Sequence, residues 1–143
     1  MNSIRKPKRR LITSALPYAN GPIHVGHMAG AYLPADIYVR YLRSAGEEVV
    51  WVCGSDEHGA AITLRAKKDG VTPKEIVDRY HNEMQGAFKE LDISFDHYSR
   101  TSSEKHHKVA KEVFFKLLEN KSFDVKTYEQ YFVEYEQHCI ADR

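Results

Sequence analysis

Two histidines, His24 and His27, stand three residues apart in the stretch PYANGPIHVGH, Pro17 to His27, with Gly26 between them. At a helical spacing of i and i+3, two imidazoles face the same way. Where a helix begins, backbone N–H groups and the positive end of the helix dipole point outward together, a place that suits a phosphate. Gly26 has no Cβ, so a flat ring such as adenine can approach its backbone closely. Two imidazoles can donate hydrogen bonds to phosphate oxygens as charge builds in a transition state, a role worth a few kcal/mol per donor. The pattern reads as an ATP site for nucleotidyl transfer. Two other readings stand beside it: histidines that merely cap a helix, and metal ligation. No Cys or carboxylate neighbour completes a zinc set. A second stretch, CGSDEHG from Cys53 to Gly59, supplies Asp56 and His58.

The elements that must position these residues alternate. RLITSAL, ending before Pro17, is a β-branched apolar run that predicts a buried strand. Helical spacing follows from His24 to about Ser44, with Pro34 predicting a kink or break near Leu33 and Gly46 ending the helix. EVVWVCG, Glu48 to Gly54, is apolar nearly throughout, which predicts a strand buried on both faces, with Trp51, Val52 and the Cys53 thiol in the core. A helix from Gly59 to Gly70 comes next. Thr72-Pro73-Lys74-Glu75 is a capping box that starts another, running to about Leu91. DISFDHYSR reads as a loop and short strand, and Thr101-Ser102-Ser103-Glu104 opens a last helix carrying Val109, Val113, Phe114, Leu117 and Leu118. The adjacent His106 and His107 diverge on that helix and cannot chelate together. Strand, helix, strand, helix implies parallel strands with right-handed crossovers. Both candidate stretches then lie at the carboxyl edge of the sheet, where open α/β sheets bind ligands. The tail from Phe123 to Arg143 is rich in Tyr and Phe without a clean period and has no closing element, so the chain reads as truncated.

Composition narrows the class. The chain has 143 residues, 42% hydrophobic and 29% charged, with a net charge of +1. That is ordinary globular composition, with no global charge that calls for nucleic acid or membrane. The basic run Arg5 to Arg10 reads as a solvated tail. Two cysteines, Cys53 and Cys139, without a CxxC pair, give no disulfide framework and imply a reduced compartment. With no membrane-length apolar run and no signal peptide, a cytoplasmic location is expected.

PYANGPIHVGH resembles the HIGH signature of class I aminoacyl-tRNA synthetases, with the Pro-x-Ala-Asn-Gly lead of the isoleucine, valine and methionine enzymes. Isoleucine and valine enzymes carry a Trp-Asp-x-His-Gly type of segment where this chain has GSDEHG, the methionine form, and ALPYANG points the same way. From about Arg10 onward the chain is similar to the N-terminal part of the methionine-specific catalytic domain. The resemblance implies an α/β, Rossmann-like nucleotide-binding fold with a parallel sheet, of which only the first half is present. It implies residues 1–9 as a basic tail, 10–125 as that half-domain, and 126–143 as the start of a connective insertion. The implied activity is ATP-dependent activation of L-methionine to methionyl-adenylate, followed by transfer to tRNA(Met), with no membrane or DNA partner.

The same resemblance assigns roles. His24 and His27 are catalytic, and Asn20, Gly21, His24, Gly26 and His27 bind ATP, which enters with Mg2+. Ala15, Leu16 and Tyr18 line the methionine pocket, Asp56 takes the α-ammonium and His58 lies on the same rim. The residues by themselves also allow Asp56 to cap the following helix and Tyr18 to be a core tyrosine. The family's Zn2+ ligands fall outside this chain, so no metal ligand is assigned within it. The second signature, KMSKS, does not occur, since RAKKDG and NKSF are not it. The chain alone is therefore expected to be inactive. A small HxGH adenylyltransferase of cofactor biosynthesis and a noncatalytic truncated binding module are the competing readings.

Overall fold

The computed structural model describes residues 9–127, together with the backbone of residues 132–133 and 138–139. Residues up to Ser103 form one compact unit and those from Glu104 onward form another.

The first unit is a three-stranded parallel sheet of β1 (Arg10–Thr13), β2 (Val49–Ser55) and β3 (His97–Arg100), in that spatial order. Leu11 pairs with Val50 and Ile12 with Trp51, while Cys53 pairs with Tyr98. Parallel neighbours demand crossovers, and the apolar periodicity between the strands supplies helices for them. On β2, Trp51, Cys53 and Ser55 are buried, and the core that Trp51 and Cys53 join holds residues from both crossovers. The opposite face is more open than the apolar sequence predicts. Val50 and Val52 are half-buried and Leu11, beside Val50, is 66% exposed. On the core face of β2 Val49 alone is half-buried, and on the opposite face Gly54 alone is buried.

The first crossover enters at His24 and runs as α1 (Val25–His27), a π-helical stretch (Met28–Tyr32) and α2 (Leu33–Ser44). Of the kink or break expected near Leu33, the chain does not break: a π-helical irregularity ends at that residue. Proline lacks an N–H and its ring crowds the carbonyl four residues back. The chain meets that constraint by widening, and Leu33 N–H reaches Met28 O, five residues back. Gly46, at φ +73°, ends α2 as predicted, with Gly46 N–H donating to Arg43 O and Glu47 N–H to Leu42 O, both at 3.0 Å.

The second crossover is α3 (Ala60–Asp69), closed by Gly70, and α4 (Pro73–Glu90). The predicted capping box is present: Thr72 Oγ1 accepts from Glu75 N–H at 3.2 Å and Glu75 Oε2 accepts from Thr72 N–H at 2.8 Å. Ile76, Val77, Tyr80, Met84 and Phe88 form the buried stripe of α4. Past its end, Asp96 Oδ2 accepts from Trp51 N–H at 2.7 Å and pairs with Arg43 of α2 at 2.8 Å, so one carboxylate joins loop, strand and helix. The basic run is partly engaged: Arg9 donates to Glu48 at 2.7 Å and Arg10 pairs with Glu47, tying the start of β1 to that of β2.

The second unit holds α5 (Glu104–Glu119) and the antiparallel pair β4 (Phe132–Val133) and β5 (His138–Cys139). Of the aromatic tail, residues 123–127 are exposed; the rest, apart from these two strands, lies outside the described residues, and so does the side chain of Cys139. Among the described residues no helix is long and apolar enough to cross a membrane.

Candidate functional site

The carboxyl ends of β1 and β2 stay together past the strands themselves. Asp56 N–H donates to Pro17 O and Ala19 N–H donates to Asp56 O, each at 2.8 Å, a parallel bridge that holds Tyr18 beside Asp56. The segment leading there is fixed from below. Trp51 Nε1 donates to Ser14 Oγ at 3.0 Å, and Tyr32 Oη, from the π-helical turn, donates to Ala15 O at 2.9 Å. The Cys53 thiol lies 3.6 Å from the same carbonyl. Burial pushes Cys53 up to about 11, so it is an unreactive thiol, and the Tyr32 hydroxyl likewise stays protonated.

Above this support Ala15 and Leu16 are exposed, and Tyr18, Asn20 and Gly21 are half-buried. Tyr18 Oη rests over Gly59, at φ +136°, where an added Cβ would collide with it. Only glycine satisfies both the backbone angle and this approach.

His24 and His27 lie at the start of the first crossover, both exposed, with ring centroids 3.8 Å apart. They make a reciprocal cap. His24 Nδ1 accepts from Gly26 N–H at 3.1 Å and His27 Nδ1 accepts from His24 N–H at 3.2 Å. The capping alternative is thus realised, but it uses one nitrogen of each ring. An Nδ1 that accepts must be unprotonated, so this geometry assigns the proton of each neutral ring to Nε2. Capping leaves both Nε2–H groups as donors. A Cβ on Gly26 would lie 3.0 Å from His24 Cε1, so the ring that approaches Gly26 closely is His24's own.

Asp56 is half-buried and His58 exposed. Asp56 does not cap the next helix: the N-cap of α3 is Gly59, and no side-chain cap is made there. Between them lies Glu57, which sequence reasoning passed over. Its side chain is fully buried. Oε1 accepts from Ser55 Oγ at 2.6 Å, and Oε2 accepts from Arg100 Nε at 2.8 Å and from Ser102 Oγ. His81 Nδ1 is 2.7 Å from Ser55 Oγ, and since that hydroxyl donates to Glu57, His81 donates to it. Arg100 also donates to Asp78 Oδ1 at 2.6 Å. Burial pushes the Glu57 carboxyl up, but hydrogen bonds from Arg100, Ser102 and Ser55 outweigh it and hold it below its ordinary value. For His81, burial and then the Arg100 charge both act downward and keep the ring neutral. The one sequence signal for this cluster is an acid wedged between two candidate site residues. Apart from Ser55, two residues away, its members lie more than twenty residues from Glu57, on α4, at the end of β3 and in the turn after it.

Among the described residues no three His, Cys, Asp or Glu side chains converge as a metal site would require.

A parallel sheet with helical crossovers, and candidate residues gathered at its carboxyl edge, defines a Rossmann-like α/β domain. The family model described as tRNA synthetases class I (M) matches residues 10–143, and the chain belongs to that family. It is 58% identical to the methionine–tRNA ligase of Bacteroides fragilis over 136 residues, which is 95% of this chain and 20% of that protein. It is 57% identical to the methionine–tRNA ligase of Cytophaga hutchinsonii over 138 residues, 96% of this chain and 20% of that one. The chain thus spans about a fifth of the length of these curated relatives. Its structure matches that of Mycobacterium tuberculosis methionyl-tRNA synthetase in complex with methionyl-adenylate. The TM-score is 0.82 at 26% identity, over 95% of this chain and 26% of that one.

Proposed function

We propose that this chain is the N-terminal half of a catalytic domain that activates L-methionine with ATP and passes the methionyl group to tRNA(Met). The observation that carries the proposal is the histidine pair. Two imidazoles at a helix start, each capped through Nδ1 and each presenting Nε2–H, suit a phosphate whose charge grows during reaction. In the proposed reaction a methionine carboxylate oxygen attacks the α-phosphorus of ATP, and pyrophosphate leaves. The 3′-terminal hydroxyl of tRNA then attacks the acyl carbon of methionyl-adenylate, and AMP leaves. His24 and His27 donate to phosphate oxygens, Gly26 keeps the backbone low, and Asn20 and Gly21 shape the loop before them. Ala15, Leu16 and Tyr18 hold the thioether, Asp56 the α-ammonium, and His58 the rim beside it. The named ligand of the Mycobacterium tuberculosis structure supports the substrate pair. Mg2+ accompanies ATP in this reading, and the place of action is the cytoplasm. Residues 10–125 are the half-domain, 1–9 a basic tail and 126–143 the start of an insertion.

The test is methionine-dependent ATP–pyrophosphate exchange, measured on the 143-residue chain, on the longest product of the gene and on His27→Ala in that product. Exchange is expected in the long product, reduced by about 10²–10³ in the variant, and absent from the short chain, which carries no KMSKS. A long product without methionine-dependent exchange overturns the proposal.

A further inference from the structure

Glu57 stands between Asp56 and His58, just past the end of β2, and burial alternates along the stretch from Ser55 to His58. With Glu57 inward and fully buried, its two neighbours turn toward the surface, half-buried and exposed respectively. The anchor grips both the side chain and the main chain. The carboxylate takes Ser55, Arg100 and Ser102 as donors, while Glu57 N–H donates to Thr101 Oγ1 at 2.9 Å. Thr101 N–H returns to Ser55 O at 3.1 Å. Arg100 is itself held from the far side by Asp78 of α4. A buried ion pair is a weak source of stability compared with apolar packing, but it fixes direction, because each partner has few allowed geometries. The direction fixed here is that of residues 56–59, which carry the bridge to Pro17 and Ala19 and the glycine beneath Tyr18.

We infer that Glu57 is a positioning residue for substrate binding: clamped by Arg100 and Ser102, it sets the 56–59 backbone so that Asp56 keeps one orientation beside Tyr18. The inference rests on the reading of Asp56 as the group that receives the methionine ammonium. Glu57 touches no substrate in this account and acts through its neighbour.

Two variants test it. Glu57→Gln keeps the shape and removes the charge, and Ser102→Ala removes one donor while leaving the ion pair. The first readout is amide hydrogen exchange in the 143-residue chain. Asp56, His58 and Gly59 are expected to exchange at least ten-fold faster in Glu57→Gln, with Ile76 to Phe88 unchanged. The second readout is pyrophosphate exchange by the longest gene product. There KM for methionine is expected to rise at least ten-fold while KM for ATP stays within two-fold, a split that a general loss of structure would not give. Ser102→Ala moves both readouts the same way by less, and decides the matter should Glu57→Gln not fold. Unchanged exchange at 56–59, or equal acceleration along α4, overturns the inference, as does a rise in both KM values together. If the parent shows no methionine-dependent exchange while the local amide pattern holds, the functional reading falls and Glu57 stands as the pin of the segment.

Discussion

A single proton on each of two buried groups links this site to pH. Glu57 is held below its ordinary value of 4.5 and His81 below 6.5. In both cases the unfolded chain binds the proton at a higher pH than the folded one, so stability rises with pH across each window. The Glu57 contribution is complete above 4.5 and disappears as pH falls through its lower folded value. That of His81 is complete above 6.5 and is lost in the same sense lower down. Urea midpoints of the 143-residue chain are therefore expected to fall on acidification in two stages. His81→Asn retains a donor for Ser55 Oγ and has no ring to protonate, so it should flatten the upper stage and leave the lower one. A variant whose upper stage matches the parent would show that His81 is not its source. Arg100, Glu57 and Asp78 face His81; both carboxyls are held below their ordinary values and Arg100 above its own, so all three are charged at the pH where the His81 contribution begins to fall.

The helical entry explains both what the sequence made legible and where it misled. Capping residues act over three or four positions, so the Thr72 box and the stop at Gly46 could be read directly. The strands followed from β-branched runs, and their parallel order from the helices between them. Pro34 was a different case, because a missing N–H has more than one remedy. The chain widens to a π turn rather than breaking, and this places Tyr32 so that its hydroxyl reaches Ala15 O at 2.9 Å. Nothing local in the sequence marks that bond, nor the pairing of Glu57 with Arg100 across the sheet edge. His24, His27 and Asp56 stand out as candidates in the sequence because their spacing or setting is local, whereas the Glu57 and His81 cluster is completed by residues far along the chain. The element-level consequence is measurable. Tyr32 is nearly fully buried. Tyr32→Phe keeps the packing and removes the donor, so unfolding free energy should drop by about 1 kcal/mol. The amide of Leu16, next to the freed carbonyl, should lose exchange protection. A drop without that local change would place the cost in ring packing instead.

At the scale of the whole chain, the second unit carries an apolar surface of its own. α5 places Val109, Val113, Phe114, Leu117 and Leu118 at helical spacing, each 40–52% exposed, among Lys105, Lys108, Lys111 and Lys116. A helix of this length gains little from propensity alone and most from burying its apolar stripe. Here none of its residues is buried. The curated relatives are about five times as long as the stretch they share with this chain, so the family builds its fold from residues beyond those seen here. A contiguous apolar stripe left in water drives association. The mass of the 143-residue chain measured by light scattering is therefore expected to rise with concentration. Val113→Glu together with Leu117→Glu should suppress that rise without altering the first unit, as read from unchanged near-ultraviolet circular dichroism of Trp51 in the core. If the double variant associates as the parent does, the sticking surface lies elsewhere. The half-covered face of β1 and β2, with Leu11 at its edge, is then the surface to alter next.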